Sequence, residues 1–306
     1  MKKKILLVIP AAMILISAGM AAPANAAEGD ISSTDGTAAA LAGIDGSLKL
    51  TPADGAGLGT TDLTAATVHI PADPADGVTV AIEGVDLKIG LPGASAAEDG
   101  VPLADGTVTY SARAFSNSVI ASEQGVQMLT TIAGPNAPAR YEYSIDVPAG
   151  GALKEVGGGA AAVFNEDGNP VVMILPAWAK DSNGLDVPTH YAVEGDKLVQ
   201  YVDHSGPGIA YPVVADPQFA WMGIVPTVKL NRSETYNMRY GSLPSKLALC
   251  GTIGGVAGIA VAGPCAVSLA VLTAKAGAFY GNGNCLQVLI GPGILGGVEY
   301  KDSYCR

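Results

Sequence analysis

The chain has 306 residues, 49% of them hydrophobic and only 15% charged, with 40 glycines and 20 prolines. Acidic residues outnumber basic ones 28 to 17, a net charge of −11. That balance excludes the basic footprint of a nucleic-acid-binding protein, and the length allows two modest domains.

The N-terminus reads as an address. Lys2, Lys3 and Lys4 precede an apolar run from Ile5 to Ile16, and Ala24-Asn25-Ala26 supplies small residues ahead of Ala27. This pattern predicts a secretory signal peptide over residues 1–26, cut between Ala26 and Ala27. The apolar run is short for a retained membrane span. The chain is therefore expected outside the cell or at its envelope.

The remaining charge is unevenly spread. Residues Ala27 to Ala220 carry a net −18, whereas Trp221 to Arg306 carry +4. Such asymmetry marks two parts with different surfaces. Residues 27–60 are rich in Gly, Ala, Asp, Ser and Thr, which predicts a flexible polar linker.

Residues 61–216 change to short alternating runs punctuated by Gly and Pro. Val78, Val80 and Ile82 alternate, as do Tyr141, Tyr143, Ile145 and Val147. "NPVVMILPAW" is a strand-length run of the kind buried on both faces, and "THYAVEGDKLVQYVDH" reads as a hairpin turning at Glu194-Gly195-Asp196. No amphipathic helix stands out. An acidic β-sandwich-like domain follows from many short strands with turn signals. Pro212 and Pro217, together with the change of charge sign, place its end near residue 216.

Residues 217–306 hold all four cysteines, Cys250, Cys265, Cys285 and Cys305. An even count in an exported chain predicts disulfides, with three possible connectivities. Leu247 to Ala274 is 28 residues without a charge, long enough to span a bilayer or touch one. Its glycines and Pro264 argue instead for a short helix to about Gly251, a Gly-rich connection and a second helix from Pro264 to about Ala278. In one continuous helix Cys250 and Cys265 would stand roughly 22 Å apart, far beyond disulfide reach. "CLQVLIG" and "VEYKDSYCR" read as two closing strands that Cys285 and Cys305 would staple. The fold class expected is mainly β: a sandwich-like domain followed by a small disulfide-stapled α+β module.

"LVQYVDHSGPGIAYPVVADPQF", "VKLNRSET", "CLQVLI" and the terminal "SYCR" together resemble a group of secreted actinobacterial proteins. These join a β-rich segment to a four-cysteine tail. The resemblance spans roughly residues 107–306. It implies export and a two-part layout, and it implies no activity. A second resemblance is partial: Tyr280-Gly281-Asn282-Gly283 is similar to the opening of pediocin-like bacteriocins. Here Asn284 stands where that pattern has Val, and Cys285 comes one residue early. The stretch reads better as a helix cap and turn leading to Cys285.

No catalytic constellation emerges. "GASAA", Gly93 to Ala97, approaches the G-x-S-x-G elbow but is followed by helix-breaking residues. His69, His190 and His204 lack a well-placed acid partner. Asp181 to Asp186 and Asn165 to Pro170 are similar to calcium loops, yet from Asp181 the fifth and twelfth places hold Leu185 and Ala192. Catalytic residues, metal and cofactor are therefore all expected to be none. Trp178 and Trp221 are candidate contact aromatics, with core packing favoured for Trp178. The chain reads as a secreted, non-catalytic binding or structural protein for a protein, glycan or cell-wall ligand. The alternative is a bacteriocin-like, membrane-active effector whose C-terminal module is carried by the acidic β-domain.

Overall fold

A computed structural model describes residues 33–82, 85–147, 149–157, 159–167, 170–221, 227–257, 262–291 and 294–306. The expected signal peptide, with Ala26 and Ala27, lies outside them. Among the described residues the chain is mainly antiparallel β, with a small helical part near its end.

Helix α1 (Thr34–Ala42) comes first, capped by the Ser33 hydroxyl accepting from the Gly36 N–H. Strands β1 (Gly59–Asp62), β2 (Thr67–Ile70), β3 (Val78–Ile82) and β4 (Val85–Ile89) follow. Next come β5 (Val101–Pro102), β6 (Val108–Ser111), β7 (Phe115–Ser122), β8 (Gly125–Ile132) and β9 (Arg140–Asp146). Then β10 (Ala152–Gly157), β11 (Ala160–Phe164), β12 (Pro170–Ile174) and β13 (Ala179–Lys180) lead to the hairpin β14 (Thr189–Glu194) and β15 (Lys197–Val202). Strands β16 (Val213–Ala215) and β17 (Gln218–Trp221) close this part. The remainder is β18 (Thr227–Lys229), α2 (Arg232–Tyr240), α3 (Leu243–Ala257), α4 (Ala262–Gly281), β19 (Cys285–Gly291) and β20 (Ile294–Tyr300).

Two sheets form the sandwich. One runs β1-β2-β3-β4-β9-β15-β14; the other runs β10-β11-β12-β17-β8-β7-β6-β5, with β16 also on β8 and β13 on β16. Alternation decides which residues meet between them. Val78, Val80 and Ile82 of β3 point inward with Tyr141, Tyr143 and Ile145 of β9, against Val119, Met128, Phe219 and Trp221 of the facing sheet. The β14–β15 turn falls at Gly195, whose φ of 68° needs glycine. Gly125 opens β8 at φ 152°, and a Cβ there would lie 2.1 Å from the Phe219 carbonyl oxygen, so β17 closes onto bare backbone.

From residue 33 on, the stretch expected to be a flexible linker is folded. Leu41 and Leu50 are buried with Ile120, Leu129 and Val214 on the outer face of the second sheet. Gln127 is buried there because its side chain acts as a strand neighbour. It accepts from the Leu50 N–H at 2.8 Å and donates to the Leu48 carbonyl at 2.7 Å. Thr37 meets Ser116 at 2.6 Å.

The expected boundary at residue 216 also moves. Strand β17 lies beyond it, yet runs between β12 and β8 in the domain sheet. Pro217 does not end pairing, because proline is tolerated where a strand begins and its carbonyl still accepts from the Met128 N–H. Trp221, a candidate contact residue, is fully buried, its indole N–H directed to the Ser122 carbonyl at 3.3 Å. Trp178 is partly buried beside the α1 cluster.

The C-terminal part is built on the sheet β18-β19-β20. Leu286, Val288 and Ile290 of β19 face the helices, where Met238, Leu272 and Ala276 cover them. Leu289 and Val298 face the other way, onto Val156, Phe164 and Met173 of the sandwich. The layers therefore run sandwich, small sheet, helices. Both expected helices are longer than predicted, and residues 258–261 between them lie outside the described set. The last strand ends at Tyr300, earlier than expected, and a turn brings Cys305 back to Cys285 in a disulfide with Cα atoms 5.6 Å apart. Cys250 is buried and also disulfide-bonded. The side chain of Cys265 lies outside the described residues.

Candidate functional site

The β20 backbone creates a cleft where the C-terminal module meets the sandwich. Gly296 and Gly297 leave no side chain on either face of the strand. A Cβ on Gly297 would come within 2.7 Å of Leu286 and 3.4 Å of the Lys275 stem. Helix α4 can therefore approach closely, and Lys275 reaches past the strand edge. The resulting cleft holds about 490 Å³, the size of a small-molecule site. Lys154, Phe164, Lys275, Phe279, Glu299 and Tyr300 are among its lining residues.

The cleft lining carries both signs in equal number, Lys154, Lys275 and Lys301 against Glu155, Asp167 and Glu299. Burial holds the Lys275 ammonium below its usual pKa, while Glu155 pulls the other way. Among the described residues Lys275 has no ion pair. Lys154 stands 5.3 Å from the Phe164 ring centre, a cation–π contact. Asn284 donates to Glu299 at 2.7 Å, and its side-chain amide oxygen is buried without a hydrogen-bond partner among the described residues. An ammonium partly stripped of water beside two aromatic rings is suited to pairing with an anionic group on a partly apolar ligand.

A second polar cluster lies inside the sandwich. Asp216 stands at the break between β16 and β17, and its carboxyl turns inward. Oδ1 accepts from the Trp178 N–H at 2.9 Å and from Gln200 Nε2 at 3.2 Å. Burial pushes its pKa up to about 8, against the pull of those donors. The Tyr191 hydroxyl is near enough to feel the charge but outside good hydrogen-bond geometry, and burial drives its own pKa up. None of its residues lines the cleft, and it reads as a structural device.

The other sequence candidates resolve into local structure. Gly93 takes a left-handed φ of 60° and Ala94–Ala96 form a short 3-10 turn, so "GASAA" is a turn. His204 is buried between the Tyr211 hydroxyl and the Pro138 carbonyl, each at 3.0 Å. His190 stacks on Tyr201 across the hairpin, and His69 meets Thr60. Asp181 spends Oδ1 on the Asn183 and Leu185 N–H groups and Oδ2 on Ala210 N–H. Its loop is thus organised by the carboxylate itself. Gly168 and Asn169 of the other calcium-like stretch lie outside the described residues. Among the described residues no group of three metal-ligating side chains converges.

Tyr280-Gly281-Asn282-Gly283 ends α4 and turns the chain into β19, with Gly283 at φ 82°. Arg232 closes that end. Its guanidinium donates to the Tyr280 and Asn284 carbonyls, both at 2.8 Å, and stacks 3.8 Å from the Tyr280 ring centre. A cation at a helix C-terminus also complements the macrodipole. The long charge-free run is partly used in packing: Cys250 and Leu272 are buried in the cluster with the small sheet. No described helix is long and apolar enough to cross a membrane.

Only one hint of the cleft existed in the sequence: Lys275 is the lone basic residue between Leu247 and Tyr300. The far side of the lining, Lys154 and Phe164 among it, comes from strands more than a hundred residues earlier. No protein-family model, curated protein or solved structure matches the chain.

Proposed function

We propose that the chain is an exported, non-catalytic binding protein of the cell envelope or its surroundings, and that the cleft at β20 is its ligand site. The ligand class is a small molecule bearing a carboxylate or phosphate and an apolar group. The observation that carries this reading is Lys275, half-buried and without an ion pair beside Phe164 and Phe279. Export rests on the lysine-led apolar N-terminus, and cysteines joined as disulfides agree with an oxidising compartment. A released membrane-active tail has less support, because Leu289 and Val298 share a core with Val156 and Met173 of the sandwich.

N-acetylphenylalanine and phenyl phosphate are suitable probes. A ligand that binds the native state raises the unfolding temperature. At least one probe should raise it for the full chain, and Lys275→Met should abolish the shift while leaving the unliganded fold intact. No shift with either probe, or the same shift in the variant, overturns the assignment.

A further inference from the structure

A different face of the molecule points to a second interaction. Among the described residues eight large apolar side chains are exposed, and four of them, Tyr236, Tyr240, Leu243 and Leu247, fall within one stretch on α2 and α3. Concentrated exposure of this kind marks an interaction site rather than ordinary surface. The tyrosines are held in place. Tyr236 stacks on Tyr240 with ring centres 4.9 Å apart, and its other neighbour is Tyr280 at 5.4 Å, itself clamped by Arg232. Two residues separate the end of α2 from the start of α3, where Leu243 and Leu247 are exposed one helical turn apart.

Two basic residues accompany these side chains. Arg239 is exposed and lies across Gly277 of α4, and Lys246 follows on α3, half-buried with its ammonium donating to the Thr273 hydroxyl at 3.3 Å. The sequence holds no acidic residue between Glu234 and Glu299, and the Glu234 carboxylate sits at the first turn of α2, where it caps the Asn231 N–H. Tyrosine rings, leucine side chains and basic groups together form the composition of a membrane–water interface. A sugar-reading platform would use the rings and the cations but gains nothing from two protruding leucines.

We propose that this face docks the chain peripherally on an anionic lipid bilayer. The layer order makes this compatible with the acidic sandwich. Helix α2 packs on α3, α4 and β19, so the small sheet separates it from the sandwich. Layers stack about 10 Å apart, and physiological salt screens charge over about 8 Å. The acidic part therefore exerts little repulsion at the docking face. No helix needs to cross the bilayer, and the cleft is not involved.

Sedimentation of the full chain with vesicles tests the idea. One set is phosphatidylcholine alone; the other is an equal mixture with phosphatidylglycerol. Two basic groups near the surface predict about thirtyfold stronger partition onto the anionic set, weakened by high salt. The double variants Tyr236→Ser/Tyr240→Ser and Leu243→Ser/Leu247→Ser should each reduce that binding about tenfold or more, since each removes two apolar contacts. All four side chains are exposed, and circular dichroism verifies that the variants remain folded. Equal partition onto both vesicle types, no partition onto either, or retention on alginate (a polyanionic glycan) without vesicle binding overturns the proposal.

Discussion

Asp216 shows how one residue can set the pH response of the whole domain. Its pKa is about 8 in the fold against an ordinary 3.8. Between those values the unfolded chain is ionised there while the fold keeps the acid neutral. The stabilisation is fully present below pH 3.8, declines as pH rises and is lost on passing about pH 8. The slope is about 1.4 kcal/mol per pH unit. Asp216→Asn keeps an acceptor for the Trp178 N–H and removes the titration. Urea unfolding at pH 5 and at pH 8, values chosen inside that window, should show wild type losing stability that the variant keeps. Parallel profiles for the two proteins would count against this account. The sequence hinted at the place, because Asp216-Pro217 interrupts two strand-like runs. It did not show that the carboxyl turns inward, since that depends on Gln200 and Trp178 arriving from other strands.

Helix α2 depends on its first turn. Asn231 accepts from the Glu234 N–H at 2.9 Å while the Glu234 carboxylate accepts from the Asn231 N–H at 2.8 Å, a reciprocal capping box. The next residue, Arg232, closes the end of α4, and Thr235 is buried, accepting from the Leu286 N–H and donating to the Leu230 carbonyl. One turn thus joins α2, α4 and β19. Asn231→Ala should cost about 1 kcal/mol, read as a lower denaturant midpoint with unchanged slope; an unchanged midpoint would show the cap to be dispensable. Elements of this local kind were legible in the sequence. The β14–β15 hairpin was legible from its glycine, and the β9 face from Tyr141, Tyr143 and Ile145. Helix α1 was not legible, because its residues are small and polar. Its order derives from Ser116, which meets Thr37, and from Ile120, which clusters with Leu41, and no local pattern connects either to it.

At the scale of the molecule, composition suggested two parts, and charge still distinguishes them. Packing joins them more tightly than the sequence implied. Leu289 and Val298 belong to the same cluster as Val156, Phe164 and Met173, and β20 presents bare backbone on both faces at Gly296-Gly297. Unfolding the small sheet exposes the outer face of β10–β12. Heating the full chain in a calorimeter should therefore give one transition for both parts, since neither buries its surface alone. Two separated endotherms would show that the modules are independent. The cleft belongs to this scale too, which is why it left almost no trace in the sequence: Lys154 and Lys275 become neighbours only after both sheets have stacked.

The bonds of Gln127 have a consequence for the order in which the chain is made. Leu48 and Leu50 emerge from the ribosome 79 and 77 residues ahead of the amide they will pair with. Until β8 follows, the segment has nothing to fold against. A segment rich in leucine and isoleucine would spend that interval as an aggregation hazard. One made of alanine, glycine and serine, with a few aliphatic anchors, can wait in water and dock last.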